Sequence, residues 1–321
     1  MNALITGASG FVGGAVWRQA RDRHWKTLAL GRRPLVADDY RVVDLSSPFD
    51  LDFAPDVVIH AAARSSPWGS RRAYEAQCVA TTRHVLDFCA THGRPHLIHV
   101  SSAAVLYENQ HQLGLREESP LADPPINEYA RAKSRSEELV RAYEGAWCIV
   151  RPRAVFGPGD PVVFPRILRA LERGRLPLFL SDRPVMADLI FIDTLAEYIL
   201  RCAEKRASGI YHLSQGEPVE IQAFIRRICS ELGLTPPQRR VSTEQALRFA
   251  RLLEGLHRML PFLGEPAVTA FGVSVFAHSK TLDVSRALRD LGAPAVSLEE
   301  GFRRFIAWQR CQRAAAMSQP A

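Results

Sequence analysis

The residues best suited to chemistry are a tyrosine and a lysine four positions apart, Tyr129 and Lys133. In a helix this spacing places both side chains on one face. The phenol can pass a proton to a substrate, and the ammonium can lower the phenol pKa from its ordinary value of about 10. The hydroxyl of Ser102 follows a predicted strand and can hydrogen-bond a substrate oxygen. We therefore predict Tyr129, Lys133 and Ser102 as catalytic; the alternative for Ser102 is that it only satisfies backbone groups at the strand end.

A glycine-rich turn near the start of the chain forms a second group. Residues 7–13 read Gly-Ala-Ser-Gly-Phe-Val-Gly, directly after a predicted strand and at the start of a predicted helix. Glycine lets the backbone approach a pyrophosphate closely, and the unpaired N–H groups at the start of a helix bind that anion. The turn therefore predicts a dinucleotide site, with contacts from Gly7, Ser9, Gly10, Phe11, Val12 and Gly13.

The end of the second predicted strand indicates which dinucleotide binds. A carboxylate there would accept hydrogen bonds from the ribose 2′-hydroxyl of NAD, whereas a 2′-phosphate requires cations. This chain has Arg32 and Arg33 at that point and no acid before Asp38. We predict NADP(H), held by Arg32 and Arg33; the alternative is NAD(H), with both arginines solvated.

Two further segments follow strands and belong to the same predicted cofactor site. Asp44 and Leu45, after the third strand, can hold an adenine ring by hydrogen bonding and packing. Ala61, Ala62 and Ala63, after the fourth strand, are small enough to let the backbone pass close to the cofactor. Neither segment would indicate a dinucleotide without the glycine turn.

Short apolar runs alternate with amphipathic stretches over the first half of the chain, a pattern typical of βαβ units and a parallel sheet. Strands are predicted at 2–6, 26–30, 40–43, 56–61, 96–101 and 147–151, and the clearest helices at 70–92 and 127–144. We predict an α/β fold, a Rossmann-like doubly wound parallel sheet, with the active site at the carboxyl ends of its strands.

The pattern changes after Arg151. Proline and glycine crowd residues 152–161, which indicates a loop. Beyond it we predict a helix at 164–173, a strand at 188–192, a helix at 193–206 and a strand at 209–214. We predict an NADP-binding domain over 1–160, to which 186–214 returns, and a smaller, mostly helical substrate-binding region over 161–321.

Charge and composition bear on partners and location. The net charge is +7, but the basic residues are scattered rather than clustered, so nucleic-acid binding is not predicted. No apolar run approaches the roughly 18 residues of a membrane span. The six cysteines are far apart and lack disulfide or metal-ligand spacing. We predict a cytoplasmic protein without an integral membrane segment or metal, acting on a small-molecule substrate, with a homodimer as the candidate assembly.

Together, these motifs cover most of residues 1–215, and the chain resembles an extended short-chain dehydrogenase/reductase. The resemblance rests on Thr6-Gly7-xx-Gly10-xx-Gly13, the segment 56–62, Ser101-Ser102, Tyr129-xxx-Lys133 and the segment 151–159. It implies that Tyr129 is the general acid/base and that Ser102 orients the substrate carbonyl. It also implies that Lys133 binds the nicotinamide ribose and lowers the Tyr129 pKa, and that Pro152 lines the nicotinamide.

The chain departs from the family pattern at three places. Cys78 stands where an asparagine usually supports the proton relay. The segment after the active serine reads Val105-Leu106-Tyr107 where Val-Tyr-Gly is usual. Ala154 replaces the asparagine with which nucleotide-sugar epimerases of this superfamily hold a pyrophosphate, which disfavours that function.

Residues 252–266 and 283–292 are similar to the 3β-hydroxysteroid dehydrogenase branch, which includes sterol dehydrogenases and 2-alkyl-3-oxoalkanoate reductases. The resemblance implies an NADP-dependent oxidoreductase that interconverts a ketone and a secondary alcohol on a lipid-, polyketide- or steroid-like substrate, as a β-keto reductase. The alternatives are a nucleotide-sugar epimerase or dehydratase, and a non-catalytic NADP-sensing regulator. Such regulators usually lose the tyrosine or the lysine, and this chain keeps both.

Two features of the C-terminal half concern the substrate. An apolar stripe at helical spacing, over 249–263, favours packing against the main domain; a lid over an apolar substrate and loose membrane contact are the alternatives. We expect a mainly aliphatic and aromatic pocket with few cations near the hydride site. Arg153 or Arg183 could nevertheless hold a substrate carboxylate or the phosphate of a thioester.

Overall fold

Strands and helices alternate along the computed structural model, which describes residues 1–317. The strands are β1 (Asn2–Thr6), β2 (Lys26–Gly31), β3 (Tyr40–Val42), β4 (Val57–His60), β5 (His96–Val100), β6 (Gln112–Leu115), β7 (Trp147–Pro152), β8 (Val155–Phe156), β9 (Leu178–Leu180), β10 (Met186–Ala187), β11 (Ile190–Phe191), β12 (Gly209–Leu213), β13 (Val219–Glu220), β14 (Arg240–Ser242) and β15 (Lys280–Leu282). The α-helices are α1 (Phe11–Asp22), α2 (Arg71–Tyr74), α3 (Thr81–Thr91), α4 (Glu128–Arg141), α5 (Phe164–Glu172), α6 (Ile192–Glu204), α7 (Ile221–Leu232), α8 (Thr243–Met259), α9 (Ala270–Ala277), α10 (Ser285–Leu291) and α11 (Leu298–Met317). A π-helical segment, Glu75–Ala80, joins α2 to α3, and short 3-10 turns span Ala103–Leu106 and Pro261–Leu263.

The central sheet of the described chain contains seven parallel strands in the order β12-β7-β5-β4-β1-β2-β3. The chain winds outward from β1 through β2 and β3, and then from β4 in the opposite direction. In such a sheet, ligands bind outside the carboxyl ends of the strands, at the point where the winding reverses. The predicted doubly wound parallel sheet is confirmed.

Helices cover both faces of this sheet. Successive residues of a strand point to opposite faces, so Ala3 and Ile5 of β1 pack in one core while Leu4 packs in the other. The first core also contains residues of α1, α6, α7 and α11. The second contains residues of α3 and α4. Burial on both faces explains why these strands read as apolar runs rather than alternating patterns.

The six strands predicted in the first half agree with the central sheet to within about one residue at each end. Two other predicted elements were partly wrong. The predicted strand 188–192 contracts to Ile190–Phe191, because α6 already begins at Ile192. The predicted helix 70–92 is not uniformly α-helical, because the π-helical segment Glu75–Ala80 interrupts it.

Three smaller sheets complete the structure described: β13-β10-β15-β6, β11-β8 and β14-β9. Of the segment 186–214, β12 lies beside β7 in the central sheet, whereas β10 and β11 lie in smaller sheets. The domain boundaries 1–160 and 161–321 stay a prediction, and residues 318–321 of the second region lie outside the described residues.

Helix α8 and the turn after it carry the predicted apolar stripe, and much of it faces solvent. Leu252, Leu256 and Met259 are 75%, 46% and 80% exposed. Ala250 is the buried residue of α8. The expectation that the stripe packs against the main domain is therefore wrong for these three side chains. Within residues 1–317, no helix has both the length and the apolar character needed to cross a membrane.

A buried ion pair joins α4 to the sheet. Arg151 at the end of β7 is 1% exposed and Glu137 in α4 is 0% exposed. Nε and Nη2 of Arg151 donate to Oε1 and Oε2 of Glu137 at 2.9 and 2.7 Å. The Ser101 hydroxyl, after β5, donates to Oε1 at 2.6 Å, and Nη2 of Arg141 donates to Oε2 at 2.7 Å. One carboxylate therefore ties a helix to two strand ends through a bidentate contact that water does not reach.

We predict that Glu137→Ala lowers the free energy of unfolding by about 3–5 kcal/mol, because it leaves the Arg151 charge buried and unpaired. Urea unfolding followed by circular dichroism measures this change. The double variant Glu137→Leu/Arg151→Met should recover most of the loss, since it removes both charges together. As a control, Arg94→Gln, which breaks the exposed pair Arg94–Glu144, should change stability by less than about 1 kcal/mol. An equally small effect of Glu137→Ala would contradict the prediction.

Candidate active site

One long cleft of about 1680 Å³ runs past the carboxyl ends of the central strands. This volume exceeds the roughly 300–1,000 Å³ of a typical small-molecule site, so the cleft has room for a dinucleotide and a substrate together. It brings together all of the predicted cofactor-binding and catalytic residues. These are Gly7, Ser9, Gly10, Phe11, Val12, Gly13, Arg32, Arg33, Asp44, Leu45, Ala61, Ala62, Ala63, Ser102, Tyr129, Lys133 and Pro152.

The glycine turn after β1 is packed too tightly for side chains. Gly7 has a φ of +73°, and a Cβ there would lie 2.7 Å from the backbone nitrogen of Ala62. A Cβ on Gly13 would lie 2.3 Å from the carbonyl oxygen of Gly7. Gly10 precedes α1, and none of the described side chains caps that helix, so its first N–H groups are available to an anion. These observations fit the pyrophosphate of a dinucleotide.

Arg32 and Arg33 follow β2, are exposed, and line the same cleft. The Arg33 side chain donates a hydrogen bond to the carbonyl of Ser9 in the glycine turn. A Cβ at Gly31 would lie 2.4 Å from the Tyr40 hydroxyl oxygen, so a larger residue before the two arginines would require the Tyr40 side chain to move. The end of β2 is therefore cationic, as the sequence indicated.

Asp44 and Leu45 lie after β3 at the same end of the cleft. The Ser46 backbone N–H donates to Oδ1 of Asp44 at 3.0 Å. Hydrogen bonds from Ser46 lower the pKa of Asp44, and the charge of Arg32 lowers it further, so this carboxylate is ionised. Leu45 is 4% exposed and packs in the core. Their contact with an adenine ring stays a prediction.

Tyr129 of α4 and Ser102 after β5 lie together in the cleft. The helix begins at Glu128 because the Asn127 side chain accepts a hydrogen bond from the Ala130 N–H at 2.8 Å. Burial raises the pKa of Tyr129 well above its ordinary value, and a hydrogen bond with the Ser102 side chain lowers it again in part. The phenol is therefore protonated at neutral pH, in contact with the serine predicted to orient the substrate.

Lys133 lies one helical turn after Tyr129 and is 4% exposed. Its Nζ donates to the carbonyl of Val100, at the end of β5, at 2.7 Å. Burial lowers the pKa of Lys133, and the neighbouring Cys78 raises it in part. The lowering of the Tyr129 pKa by this ammonium stays a prediction.

Cys78 lies near Lys133, at the position where the resemblance implied an asparagine. It lies in the π-helical segment Glu75–Ala80, a geometry frequent at functional sites, and is 1% exposed. Its Sγ donates to the carbonyl of Arg64 at 3.9 Å, and burial raises the pKa of the thiol, which keeps it neutral. A weak hydrogen-bonding thiol thus replaces an amide beside the lysine.

The structure separates the two arginines considered as anion ligands. Arg153, directly after β7, lines the cleft and is 9% exposed. Arg183 is exposed, pairs with Asp182 at 3.3 Å and lies outside the set of described residues that line the cleft. Arg153 follows Pro152 in the same wall, and the expectation of few cations near the hydride site stays a prediction.

The sequence interpretation missed a row of arginines along the substrate side of the cleft. Arg166 and Arg169 lie on α5 and Arg173 directly follows it, and all three line the cleft. Their spacing of three and four residues places them on one helical face. Arg166 pairs with Glu265 at 2.8 Å. The spacing was a visible signal, but an arginine stripe ordinarily faces solvent, and the sequence did not reveal which element lies opposite.

Aromatic side chains of the C-terminal half form apolar walls. They are Phe179 of β9, Phe249 of α8, and Phe271 and Phe276 of α9. Phe249 belongs to the predicted apolar stripe, so this member of the stripe lines the cleft, as the lid alternative expected. Hydrocarbon buried against such walls would stabilise binding by about 0.8 kcal/mol per methylene.

Comparison with known proteins agrees with this geometry. Residues 3–214 match the NAD dependent epimerase/dehydratase family. That range contains the glycine turn, Ser102, Tyr129 and Lys133. The predicted resemblance to extended short-chain dehydrogenases/reductases is confirmed.

Individual relatives match almost the whole chain. It is 30% identical to a 2-alkyl-3-oxoalkanoate reductase of Stenotrophomonas maltophilia (strain K279a), over 96% of this chain and 99% of that protein. It is 25% identical to a decarboxylating sterol-4-alpha-carboxylate 3-dehydrogenase of Schizosaccharomyces pombe, over 98% of this chain and 99% of that one. The structure of MoeE5 in complex with UDP-glucose and NAD shares the fold, with a TM-score of 0.74 and 23% identity, over 98% of this chain and 100% of that chain. The chain belongs to the NAD dependent epimerase/dehydratase family.

Proposed function

We propose that this protein is an NADP-dependent ketoreductase that reduces the ketone of a lipid-like 3-oxo compound to a secondary alcohol. The observation that carries the proposal is that Tyr129, Ser102 and Lys133 line one cleft together with the glycine turn. A proton-donating phenol, an orienting hydroxyl and a dinucleotide site are the parts that carbonyl reduction needs. The aromatic walls, and the activity named for the Stenotrophomonas relative, favour a hydrocarbon-rich 3-oxo substrate.

When bound, the nicotinamide supplies the hydride that reduces the carbonyl carbon. Lys133 would hold the ribose hydroxyls of the nicotinamide and Pro152 would line its ring, as the family resemblance implies. Ser102 donates a hydrogen bond to the carbonyl oxygen, and Tyr129 transfers its phenolic proton to that oxygen as negative charge develops there. The C=O π bond is thereby converted to C–O–H, and the Tyr129 phenolate recovers a proton from water.

The protonation state of Tyr129 suits its role in ketone reduction. A proton donor must hold its proton at the working pH, and burial raises the Tyr129 pKa, which keeps the phenol protonated. Alcohol oxidation needs the phenolate as base, and the same shift reduces the phenolate fraction at neutral pH. Tyr129 is therefore in the form that donates a proton to a carbonyl oxygen.

A nucleotide-sugar epimerase or dehydratase is the second candidate. The arginine row of Arg166, Arg169 and Arg173 favours it, because guanidinium groups bind diphosphates well. Ala154 disfavours it, because the epimerases of this superfamily carry an asparagine at this position. The φ of Ala154 is +24°, and asparagine adopts a positive φ more readily than alanine does. A non-catalytic NADP-sensing regulator is disfavoured because Tyr129, Lys133 and Ser102 are all retained.

We propose a cytoplasmic location, with a small molecule as substrate. All six cysteines are free thiols and five of them are buried, which fits a reducing compartment. The homodimer stays a prediction.

Tyr129→Phe should lower kcat for ketone reduction by at least about 100-fold, because it removes the proton donor. NADPH binding, followed by fluorescence titration, should stay nearly unchanged. The matched control is Tyr198→Phe, which removes a hydroxyl that donates to the carbonyl of Gly292 away from the cleft; it should keep normal turnover.

The substrates to compare are a medium-chain 3-oxo compound and UDP-glucose. Turnover of UDP-glucose alone would select the second candidate, and a fully active Tyr129→Phe would refute the assignment.

Reduction by NADPH should be independent of pH between about pH 6 and pH 9, and should be lost only as the pH rises through the raised pKa of Tyr129. Oxidation of the alcohol should speed up with pH over the same interval, because it needs the phenolate. Ser102→Ala should move the oxidation limb to still higher pH, since the Ser102 hydrogen bond lowers the Tyr129 pKa. Initial-rate profiles in both directions measure this. A reduction rate that falls near pH 7 would be incompatible with a raised pKa.

NADPH should bind more tightly than NADH, because Arg32 and Arg33 can donate charge-assisted hydrogen bonds to the 2′-phosphate. Arg32→Asp should erase or reverse the preference, changing the ratio of the two Kd values by about 10- to 100-fold. Arg41→Asp makes the same charge change on β3, outside the cleft-lining residues, and should alter the ratio far less. Equal binding of both cofactors by the unaltered protein would overturn the NADP assignment.

A further inference from the structure

Arg153 is a buried cation whose donors have no protein partner. The residue is 9% exposed, and its backbone N–H donates to the carbonyl of Leu213 in β12 at 3.0 Å. Among the described residues, none accepts a hydrogen bond from the guanidinium or approaches it as a salt-bridge partner, and its Nε is sealed from solvent without a partner. Burying charged donors without acceptors is costly. The arrangement is therefore incomplete without an acceptor in the cleft.

The ring of Tyr107 holds the guanidinium and has a second cation near it. Its Cζ lies 5.1 Å from the ring centroid of Tyr107, and the Nζ of Lys280 lies 5.4 Å from the same centroid. Cation–π contact orients the planar guanidinium against the ring and leaves its N–H edges unpaired. Tyr107 is one of the residues that depart from the family pattern, and it is 1% exposed. The tyrosine at this unusual position thus provides the aromatic ring against which Arg153 packs.

Lys280, the second cation near the Tyr107 ring, already has its full set of hydrogen bonds. Nζ of Lys280 donates to the carbonyls of Glu108 and Gln110 at 2.6 and 2.5 Å, and to Oε1 of Gln112 at 2.7 Å. These three bonds use all the donors of an ammonium. Burial, with the charge of Arg153 as a further cause, lowers the pKa of Lys280 to about 7. Lys280 is therefore part of the support, and Arg153 is the cation left to bind a ligand.

A carboxylate near Arg153 forms no salt bridge with it. Asp188 is 1% exposed and uses Oδ2 to accept the Leu282 N–H at 2.6 Å. Burial raises the pKa of Asp188, and the charge of Arg153 lowers it in part. The donors of the guanidinium are therefore left for an anionic ligand.

The position of Arg153 sets where that anion lies. It follows Pro152 directly, and its guanidinium lies against the ring of Tyr107. Tyr107 packs in one cluster with Tyr129 and lines the same cleft as Ser102. The arginine row on α5 lies on another element. We propose that Arg153 binds the carboxylate of a substrate whose ketone lies one or two carbons away, an inference that rests on the ketoreductase function proposed above. The planar fork of the guanidinium suits both carboxylate oxygens at once.

The test compares 2-methyl-3-oxooctanoate with its methyl ester, which differs in charge but keeps the ketone and the chain. The unaltered protein should favour the acid in kcat/KM by at least about tenfold. Arg153→Gln should abolish this preference, mainly through a higher KM for the acid, while ester reduction and NADPH binding stay within about threefold. Arg153→Lys should keep part of the preference, because it retains the charge without the fork. Arg183→Gln, which changes an arginine outside the cleft, should behave like the unaltered protein.

Binding provides a second readout. Octanoate, a carboxylate without a ketone, should bind the protein in the presence of NADP, and calorimetry should find this binding at least about tenfold weaker in Arg153→Gln. Ester turnover shows that the variant is folded. An acid preference that survives Arg153→Gln, or no acid preference in the unaltered protein, overturns the role of Arg153 and leaves the ketoreductase function standing. If neither acid nor ester is reduced, the proposed function fails and this inference fails with it.

Discussion

The buried carboxylate of Glu137 is held by the side chains of Arg151, Ser101 and Arg141, and the position of the active-site helix depends on these contacts. Tyr129, Lys133 and Glu137 recur at intervals of four residues, so they share one face of α4. Because Glu137 is tied to the ends of β7 and β5, that face is turned toward the carboxyl edge of the sheet. Lys133 continues the attachment through the carbonyl of Val100 in β5. The phenol of Tyr129 therefore reaches the cleft on a helix that is fixed at two further turns.

The cleft combines three different environments along its length. At the dinucleotide end, the helix start after Gly10 and the guanidiniums of Arg32 and Arg33 present positive charge to phosphates. At the centre, burial keeps the phenol of Tyr129 protonated. Beyond it, phenylalanines provide hydrocarbon contact around a cation, Arg153, that is largely shielded from water. Shielding strengthens each electrostatic contact, because fewer water molecules compete for the same charge.

Local signals were enough to predict much of this from the sequence. Gly7, Gly10 and Gly13 follow an apolar strand and open a helix, and such a turn depends on residues that are neighbours in the chain. Tyr129 and Lys133 share a helical face for the same reason. The strands of the central sheet could be predicted because both of its faces are buried, which leaves apolar runs separated by loop residues. The residues that follow parallel strands lie at the same edge of the sheet. The sequence therefore predicted that Ser102, Ala61 and Arg32 belong to one site.

Tertiary packing decided the features that local patterns could not. The pairing of Glu137 with Arg151 joins residues on a helix and a strand, and nothing in either segment identifies the partner. The π-helical turn at Cys78 and the exposure of Leu252 and Met259 depend on what packs against each helix. The sequence did not distinguish Arg153 from Arg183 as an anion ligand. In the structure Arg153 is buried against Tyr107, whereas Arg183 is exposed beside Asp182. The sequence alone determined the glycine turn and the placement of Tyr129 and Lys133 on one helical face, because their spacing is local. Only the fold decided which charge is buried, because burial is set by residues far away in the chain.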